Sequence, residues 1–305
     1  MFVHEQLVGV HRVADAAALE LLLDGRQLVD RPPTGVDAHH AGQSTRRDQA
    51  RGGAACGALA TAPPVRQAAG MTTRPLAFVC AMPMELAPLT RDLGLVETDV
   101  DGEIVHLGRV GDRDVIGIVT GMGTRHAADA VERLLDGYDV DHVLVVGIAG
   151  AGVGDAPIGA LVLPEVVVHG PSGREHRPTR LGDADHAGHM WTNDELITEL
   201  DELAVLHERG VIALDMETAA IAHACEQRGV PWSVFRAISD RSTDGLIDAE
   251  VFAMSNLDNT PNLEAITAYF EKHPEAAAKL EQMGADAVLA ADTAAAAAIA
   301  ALEHL

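Results

Sequence analysis

The amino-acid sequence predicts an α/β fold with a mixed central sheet flanked by helices, formed by one domain at residues 71–305. After Pro75, short apolar runs alternate with stretches of helical pattern. The run "HVLVVGI" is apolar after its first residue, which is typical of a strand buried on both faces. The run "GRVGDRDV" is typical of a hairpin turn, and a hairpin adds antiparallel strands to the sheet.

The expected elements follow one another at short intervals along this domain. Strands are expected at residues 76–82, 103–110, 113–121, 142–150, 160–169, 211–215 and 232–239. Each run is preceded by glycine, proline or aspartate, and such residues are common where strands begin and end. Helices are expected at residues 124–136, after residue 215, and in the tail from residue 273, where alanine, leucine and glutamate dominate.

Residues 1–70 differ from the rest of the chain in composition. They hold seven basic and seven acidic residues, so the whole net charge of −24 belongs to residues 71–305. Their last third is rich in Gly, Ala and Pro without apolar periodicity. We expect an N-terminal extension, irregular or partly helical. Two interpretations stay open: the natural protein starts at Met71, or a helix near residues 14–23 packs on the domain.

The composition argues against several classes of function. A net charge of −24 disfavours nucleic acid and anionic membranes as partners, because binding to both depends on Lys and Arg. The first residues lack the pattern of a secretory signal, so we expect a cytoplasmic protein. Cys56, Cys80 and Cys225 form no CxxC pair, which favours buried thiols over a disulfide framework or a zinc site.

Two glycine clusters suggest a nucleotide-cofactor site, but neither fits one well. Gly121 and Gly123 begin a GxGxxG pattern whose third position is His126, where a small residue is needed. The cluster at residues 146–155 follows a strand without opening a clear helix. Both clusters allow backbone N–H groups to approach an anion or a sugar, or form tight turns. No cofactor is expected.

A histidine-rich stretch at residues 170–190 is the best candidate for a metal site. It holds His176, His186 and His189, with Asp183 and Asp185 between them. The spacing does not match a helical HExxH motif, and the stretch has the composition of a loop. We therefore expect a solvated loop and no metal.

Carboxylates follow three of the expected strands. Glu85, Glu217 and Asp240 each lie where an apolar run ends. In an α/β sheet the carboxyl ends of strands border the ligand crevice, so these side chains are expected to converge. One could act as a base, one could hold the hydroxyls of a polyol, and one could donate a proton if its pKa were raised. The alternatives are helix-start acids for Asp215 and Glu217, and an aspartate-led turn for Asp240.

Four motifs in this region carry a family resemblance: "AMPMEL", "GIAGAG", "LDMETAAIA" and "VFRAISD". In order and spacing they resemble the purine nucleoside phosphorylase and nucleosidase superfamily, over residues 75–270. They look most like its methylthioadenosine/S-adenosylhomocysteine nucleosidase branch. The resemblance implies a single nucleoside phosphorylase-like domain, usually a homodimer, that hydrolyses the N-glycosidic bond of an adenosine-like nucleoside without metal or cofactor.

The resemblance also implies roles for individual residues. Glu85 would position and deprotonate the attacking water, and Asp240 would protonate N7 of the departing purine. Ser239 would orient Asp240. Glu217 would hold the ribose hydroxyls, with Met216 against the sugar.

Three further positions are expected to bind substrate through the glycine motifs: Gly121, Gly150 and Ile148. Ile148 departs from the family, which often has Ser or Thr there, and Leu196 replaces an aromatic residue that usually stacks on the base. Two other functions stay open: a phosphate-dependent phosphorylase and a non-catalytic nucleoside-binding protein. Water is favoured over phosphate as the nucleophile because Glu85 would repel a second anion. The sequence does not predict the 5′ substituent.

Overall fold

The structure is a computed structural model that describes residues 71–152, 156–182, 184–241, 244 and 247–305. The expected N-terminal extension and Cys56 lie outside the described residues. The elements are β1 (Leu76–Cys80), α1 (Pro83–Leu93), β2 (Val96–Val100), β3 (Glu103–Val110), β4 (Arg113–Val119), α2 (Thr124–Gly137), β5 (His142–Ala151), β6 (Leu161–Val162), β7 (Val166–His169), β8 (Arg174–His176), β9 (His189–Thr192), α3 (Leu200–Glu208), β10 (Val211–Asp215), α4 (Thr218–Arg228), β11 (Trp232–Arg241), α5 (Ala249–Phe252), α6 (Leu263–Lys272) and α7 (Ala277–Ala300), followed by a 3₁₀ turn (Ala301–His304).

The described strands form one mixed sheet, as the sequence predicts. Its order is β2-β3-β4-β1-β5-β10-β9-β7-β8, and β11 pairs with β5 and β6. Strands β4, β1, β5 and β11 are parallel, whereas β2, β3 and β4 form an antiparallel meander and β10 runs antiparallel to β5. The parallel strands therefore bring the ends of β1, β5 and β11 to the same edge of the sheet.

Helices cover both faces of the sheet, because successive side chains of its central strands point to opposite faces and are apolar on both. In β1, Ala77 and Val79 belong to the core that includes α2 and α4, whereas Leu76, Phe78 and Cys80 belong to the core that includes α1 and α7. All five are at most 1% exposed. This period of two places each residue on a definite face, and it explains why the buried runs are apolar throughout.

The C-terminal helix is long and apolar. By length and composition the stretch Ala277–His304 could cross a membrane, since an 18-residue window of it has a mean hydropathy of 1.6. One face of it is fully buried in the core that α7 shares with β5 and β11, through Ala290, Ala294 and Ala298. This close packing of alanines on the sheet is what the sequence predicts.

The structure corrects the sequence prediction between residues 160 and 192. The single strand expected at 160–169 is divided into β6 and β7 around Pro164, which has no N–H to donate to a ladder. The solvated loop expected at residues 170–190 contains β8 and the first two residues of β9, and His176 in β8 is only 2% exposed. Among the described strands, β8 pairs with β7, and its sequence, REH, lacks the apolar alternation that indicates a strand.

The histidines of this stretch do not converge on one site. His176 Nδ1 bonds Glu226 Oε2 at 2.9 Å, and His186 Nδ1 lies 3.4 Å from the carbonyl of Pro164. Asp183 lies outside the described residues. Among the described residues, no group of three or more His, Cys, Asp or Glu is arranged to hold a metal ion.

A segment between β11 and α7 forms a small layer with its own core. We call residues 247–276 the cover segment; it contains α5 and α6. Its apolar side chains pack on one another and on the start of α7. The buried members of this cluster are Val251, Met254, Tyr269, Ala276 and Leu280. The two larger apolar clusters do not include these residues, so the cover segment is packed largely on itself.

Candidate active site

A cavity of about 320 Å³ lies at the carboxyl ends of β1, β5 and β11. Its walls come from the β1–α1 loop, the end of β5, the β10–α4 loop, the end of β11, the stretch before α3 and the cover segment. Seven of the eight predicted site residues line it: Glu85, Ile148, Gly150, Met216, Glu217, Ser239 and Asp240. Its size suits a small-molecule ligand.

Arg236, in β11, organises one end of this cavity. The residue is 1% exposed, and its Nη1 lies 3.2 Å from Glu85 Oε1. Its Nη2 lies 2.8 Å from Asp215 Oδ2 and 3.4 Å from Glu217 Oε2. One cation therefore faces three buried carboxylates. Removing it would leave several charges without a partner in a dry environment.

Glu85 is held by backbone N–H groups from two loops. Its Oε2 accepts from Ala81 at 2.7 Å and Met82 at 2.9 Å, and its Oε1 accepts from Ile148 at 2.8 Å. Burial raises the pKa of Glu85, while Arg236 and these N–H groups oppose the rise. A Cβ on Gly147 would lie 2.1 Å from Oε1, so only glycine allows this approach.

The two acidic residues after β10 have different partners. Asp215 accepts from the Thr218 N–H at 2.9 Å and from Thr192 Oγ1 at 2.6 Å, so it binds the first turn of α4. Glu217 makes no such bond to the helix; its Oε1 accepts from the Gly123 N–H at 2.8 Å. Burial raises the pKa of Glu217 to about 7, and the neighbouring Asp215 adds to the rise. The helix-start interpretation therefore describes Asp215 and not Glu217.

Asp240 lies at the other end of the cavity, next to a β-bulge. The pairing of β11 with β5 shifts register between Ile238 and Asp240, which turns the side chains at the strand end. Ser239 Oγ donates to Asp240 Oδ1 at 2.6 Å. Among the described residues no cation pairs with Asp240. Burial raises its pKa, and the hydrogen bond from Ser239 opposes the rise.

The glycine motifs contribute backbone to the site. Gly150 lines the cavity, and a Cβ there would lie 3.3 Å from Asp240 Oδ2. Ile148 lines it too, and its carbonyl accepts from Arg236 Nη1 at 3.1 Å. Gly121 lies outside the lining: its φ is 86°, and its N–H donates to the carbonyl of Ala81 at 3.1 Å. It shapes the loop that carries the lining residue Met122.

Sequence reasoning missed Arg236 as a functional residue. The signal was present, because a lone arginine in the apolar run "WSVFRAIS" must find buried partners if the run is a central strand. The sequence does not indicate which carboxylates pair with this arginine, because they come from β10, from the loop after it and from the start of α1. The other predictions for buried residues agree with the structure: Cys80 and Cys225 are buried free thiols.

The motifs at this cavity match a known family. The model of the phosphorylase superfamily matches residues 75–268. The chain belongs to the phosphorylase superfamily. The match covers β1 through most of α6. It therefore includes Arg236 and its three carboxylate partners, together with Ser239 and Asp240.

Several curated proteins with similar sequences share one name. A 5′-methylthioadenosine/S-adenosylhomocysteine nucleosidase from Oceanobacillus iheyensis is 25% identical over 195 residues, covering 54% of this chain and 85% of the relative. The protein of the same name from an Exiguobacterium species is 26% identical over 209 residues, covering 58% of this chain and 90% of its own.

Solved structures agree on the fold. The nucleosidase of that name from Helicobacter pylori matches with a TM-score of 0.57 at 18% identity, covering 76% of this chain and 99% of that one. A Francisella philomiragia protein described as a putative nucleosidase of the same type matches with a TM-score of 0.55 at 14% identity, covering 76% of this chain. The expected nucleoside phosphorylase-like fold is confirmed.

Proposed function

We propose that this member of the phosphorylase superfamily hydrolyses the N-glycosidic bond of a 5′-substituted adenosine and releases adenine. The observation that carries the proposal is the separation of two kinds of carboxylate within one cavity. Glu85 and Glu217 face a guanidinium, whereas the hydrogen-bond partner of Asp240 among the described residues is a serine hydroxyl. Its sequence relatives are named as nucleosidases of this type, which supports the same reaction.

Asp240 is the proposed acid. Adenine is a poor leaving group as an anion, so a proton delivered to N7 assists the break of the bond. Burial raises the pKa of Asp240, and no described cation works against that rise. The carboxyl group can therefore carry a proton when substrate binds, with Ser239 fixing its orientation through Oδ1.

Glu85 is the proposed base for the attacking water. The longest hydrogen bond that the Glu85 carboxylate accepts is the one of 3.2 Å from Arg236 to Oε1. Oε1 is therefore the oxygen that can most easily accept a further hydrogen bond from a water molecule. The backbone N–H groups hold the carboxylate in place, which serves positioning and favours the ionised form. The proton leaves water for Glu85 while the oxygen attacks C1′ of the sugar.

Glu217 is the proposed partner of the ribose hydroxyls, with Met216 against the sugar. Both residues line the cavity directly after β10. The charge that builds on the ribose in the transition state is positive, and the nearby carboxylates stabilise it electrostatically.

Phosphorolysis is the alternative within the superfamily, and the charges of the cavity argue against it. Phosphate needs cationic or backbone donors. Among the described residues that line the cavity, Arg236 is the single Lys or Arg, and it already faces three carboxylates. A phosphate beside Glu85 would be repelled, whereas water carries no charge.

The test is release of free adenine from 5′-methylthioadenosine, S-adenosylhomocysteine and adenosine by the full chain, with and without phosphate. Release that does not depend on phosphate is the expected result. Release only with phosphate would establish the phosphorylase. Ligand binding without release would indicate a non-catalytic nucleoside-binding protein.

A further inference from the structure

The hydroxyl of Thr192, the last residue of β9, lies between α4 and the carboxylate of Asp215. Thr192 is 0% exposed and is not among the residues that line the cavity. Its Oγ1 accepts from the Ala219 N–H at 3.0 Å and donates to Asp215 Oδ1 at 2.6 Å. A hydroxyl has one proton to donate, and the N–H of Ala219 already points at this oxygen. The proton of Thr192 is therefore directed to Asp215.

The two oxygens of Asp215 have different partners. Oδ2 accepts from the N–H and the hydroxyl of Thr218 and from Arg236 Nη2. Among the described residues, Thr192 supplies the one hydrogen bond to Oδ1. Thr192 therefore fixes the orientation of the carboxylate, while the other oxygen is shared between the start of α4 and the guanidinium.

Asp215 is in turn the closest partner of the Arg236 guanidinium. Nη2 lies 2.8 Å from Asp215 Oδ2, 3.3 Å from Thr218 Oγ1 and 3.4 Å from Glu217 Oε2. Nη1 lies 3.2 Å from Glu85 Oε1. Nε has no hydrogen-bond partner among the described residues. The position of the guanidinium beside Glu85 therefore depends mainly on Asp215.

Loss of the Thr192 hydroxyl would leave two buried groups without a partner. The Ala219 N–H would lack its acceptor and Asp215 Oδ1 its donor, and each unpartnered group is costly. Rotation of the carboxylate toward the Ala219 N–H would satisfy both groups, since an aspartate readily bonds the first N–H groups of a helix. That rotation weakens the bond to Arg236, and the guanidinium then moves away from Glu85.

We propose that Thr192 is a positioning residue for the proposed hydrolysis: its hydroxyl fixes the Asp215 carboxylate, which holds the Arg236 guanidinium against Glu85. The inference rests on the proposed nucleosidase function. Thr192 lies behind the cavity wall and acts on the base through these two charged side chains. Its removal therefore changes the proton affinity of Glu85 without deleting a group that lines the cavity.

The pKa of Glu85 reports the position of the guanidinium. The charged or titratable groups that face Glu85 in the described structure are Arg236 in β11, Glu217 after β10 and Cys80 in β1. Burial raises the pKa of Glu85, and Arg236 opposes the rise. Glu217 and Cys80 carry no positive charge that could replace it. A guanidinium that moves away from Glu85 therefore lets this pKa rise further.

The first test measures the pKa of Glu85 by carbon NMR in the full chain, labelled at the glutamate carboxyl carbons and assigned with Glu85→Gln. Thr192→Val keeps the size of the side chain without the hydroxyl, and we expect it to raise this pKa by about one unit. Thr192→Ser keeps the hydroxyl and should retain the wild-type value. Thr192→Cys, with a weak donor, replaces the valine variant if that variant does not fold. An unchanged or lower pKa, or an equal rise in Thr192→Ser, would overturn the inference.

Thr73→Val is the matched control. Thr73 Oγ1 accepts from the Asp114 N–H at 2.9 Å and donates to Asp114 Oδ2 at 3.0 Å, so it too joins a backbone N–H to a buried aspartate. Neither residue lines the cavity. We expect this variant to lower the midpoint of urea unfolding, as Thr192→Val does, and to leave the pKa of Glu85 unchanged. An equal rise of that pKa in both variants would attribute the rise to lost stability and overturn the inference.

The second test follows adenine release from 5′-methylthioadenosine across pH. The base acts in its ionised form, so the acidic limb of kcat/KM should move to higher pH in Thr192→Val, with a loss of about tenfold below the limb. Thr73→Val and Thr192→Ser should keep the wild-type limb. A limb that does not move with the pKa would overturn the role of Thr192 in the reaction. Adenine release by none of the folded proteins would overturn the proposed function, whereas a raised pKa in Thr192→Val would still support the positioning of Arg236 by Thr192.

Discussion

The two ends of the cavity treat a carboxylate in opposite ways. At the Arg236 end, three acidic side chains share one guanidinium, and Glu85 accepts three backbone N–H bonds besides. At the other end, Asp240 has a hydroxyl as its partner and burial as the main influence on its pKa. Burial raises the pKa of Glu85, Glu217 and Asp240 alike, but Arg236 opposes the rise for the two glutamates, whereas no described cation opposes it for Asp240. The comparison teaches that buried carboxylates of one cavity can differ in proton affinity because their partners differ.

The largest expected effect comes from removing the acid. Asp240→Asn keeps the shape of the side chain and cannot donate a carboxylic proton, so we expect kcat for adenine release to fall about 10³- to 10⁴-fold. The measurement is steady-state release of adenine from 5′-methylthioadenosine. Urea unfolding should show a folded variant with an unchanged transition slope. Turnover near the wild-type value would remove Asp240 from the acid role.

The pH profile sharpens the same point. The acid acts in its protonated form, so kcat/KM is expected to fall as the pH rises through the pKa of Asp240, which burial raises. The hydrogen bond from Ser239 lowers this pKa. Ser239→Ala should therefore move the alkaline limb to higher pH. A limb that stays in place, or that persists in Asp240→Asn, would assign it to another group.

The next effect concerns stability at the Arg236 end. Arg236→Leu would leave Glu85, Asp215 and Glu217 buried without their cation, and we expect a loss of about 3–5 kcal/mol in the free energy of unfolding. Arg241→Leu is a matched control, because the same residue type at the end of the same strand pairs with Asp244 in a half-exposed position. The control should cost at most about 1 kcal/mol. If urea unfolding showed equal losses of stability for Arg236→Leu and Arg241→Leu, the three buried carboxylates would not depend on Arg236.

The base is expected to show a somewhat smaller effect on turnover than the acid. Glu85→Gln cannot take a proton from water, so kcat should fall about 10²- to 10³-fold, and the acidic limb that belongs to Glu85 should disappear. The amide also brings an NH₂ group toward backbone donors, which should cost about 1–3 kcal/mol of stability. Rates are therefore compared at low temperature, where the variant stays folded. An unchanged rate would make Glu85 a structural residue only.

The positions of the proposed catalytic groups could be predicted from the sequence better than the charges that surround them. Glu85 and Asp240 follow apolar runs, and the rule that ligands bind outside strand ends places them near one another. The structure places both in one cavity. Their proton affinities could not be predicted, because these depend on Arg236 and on the depth of burial, which strand pairing creates.

The cover segment illustrates what the sequence does not reveal. Its short helices are held by a small cluster around Tyr269 and by the turn at Asn259, whose contacts to Ala81 bridge parts of the chain far apart in sequence. The spacing of Leu263, Ile266 and Phe270 is typical of an amphipathic helix, but it does not indicate what that helix packs against. The long-range hydrogen bonds that join it to the loop before α1 could therefore not be predicted from the sequence.

The smallest expected effect comes from removing one of the charges at the Arg236 end, that of Glu217. In the folded protein burial raises the pKa of Glu217 to about 7 from an ordinary value of 4.5. The folded state then binds this proton more tightly than the unfolded chain, so its contribution to stability is complete below about pH 4.5 and is lost as the pH rises through about 7. Above that pH the ionised carboxylate is a cost to the fold.

Glu217→Gln removes that cost, and Arg236 keeps Glu85 and Asp215 as partners. We expect the variant to be more stable than the wild type by about 1 kcal/mol at pH 8, with little difference at pH 5, in urea unfolding. Its KM should rise, because an amide binds ribose hydroxyls less strongly than a carboxylate. Asp215→Asn is the control: it disturbs the bonds to Thr192 and Thr218 and should lower stability at both pH values. A less stable Glu217→Gln at pH 8 would mean that the Arg236 end gains more from its third ion pair than it loses to crowded charge.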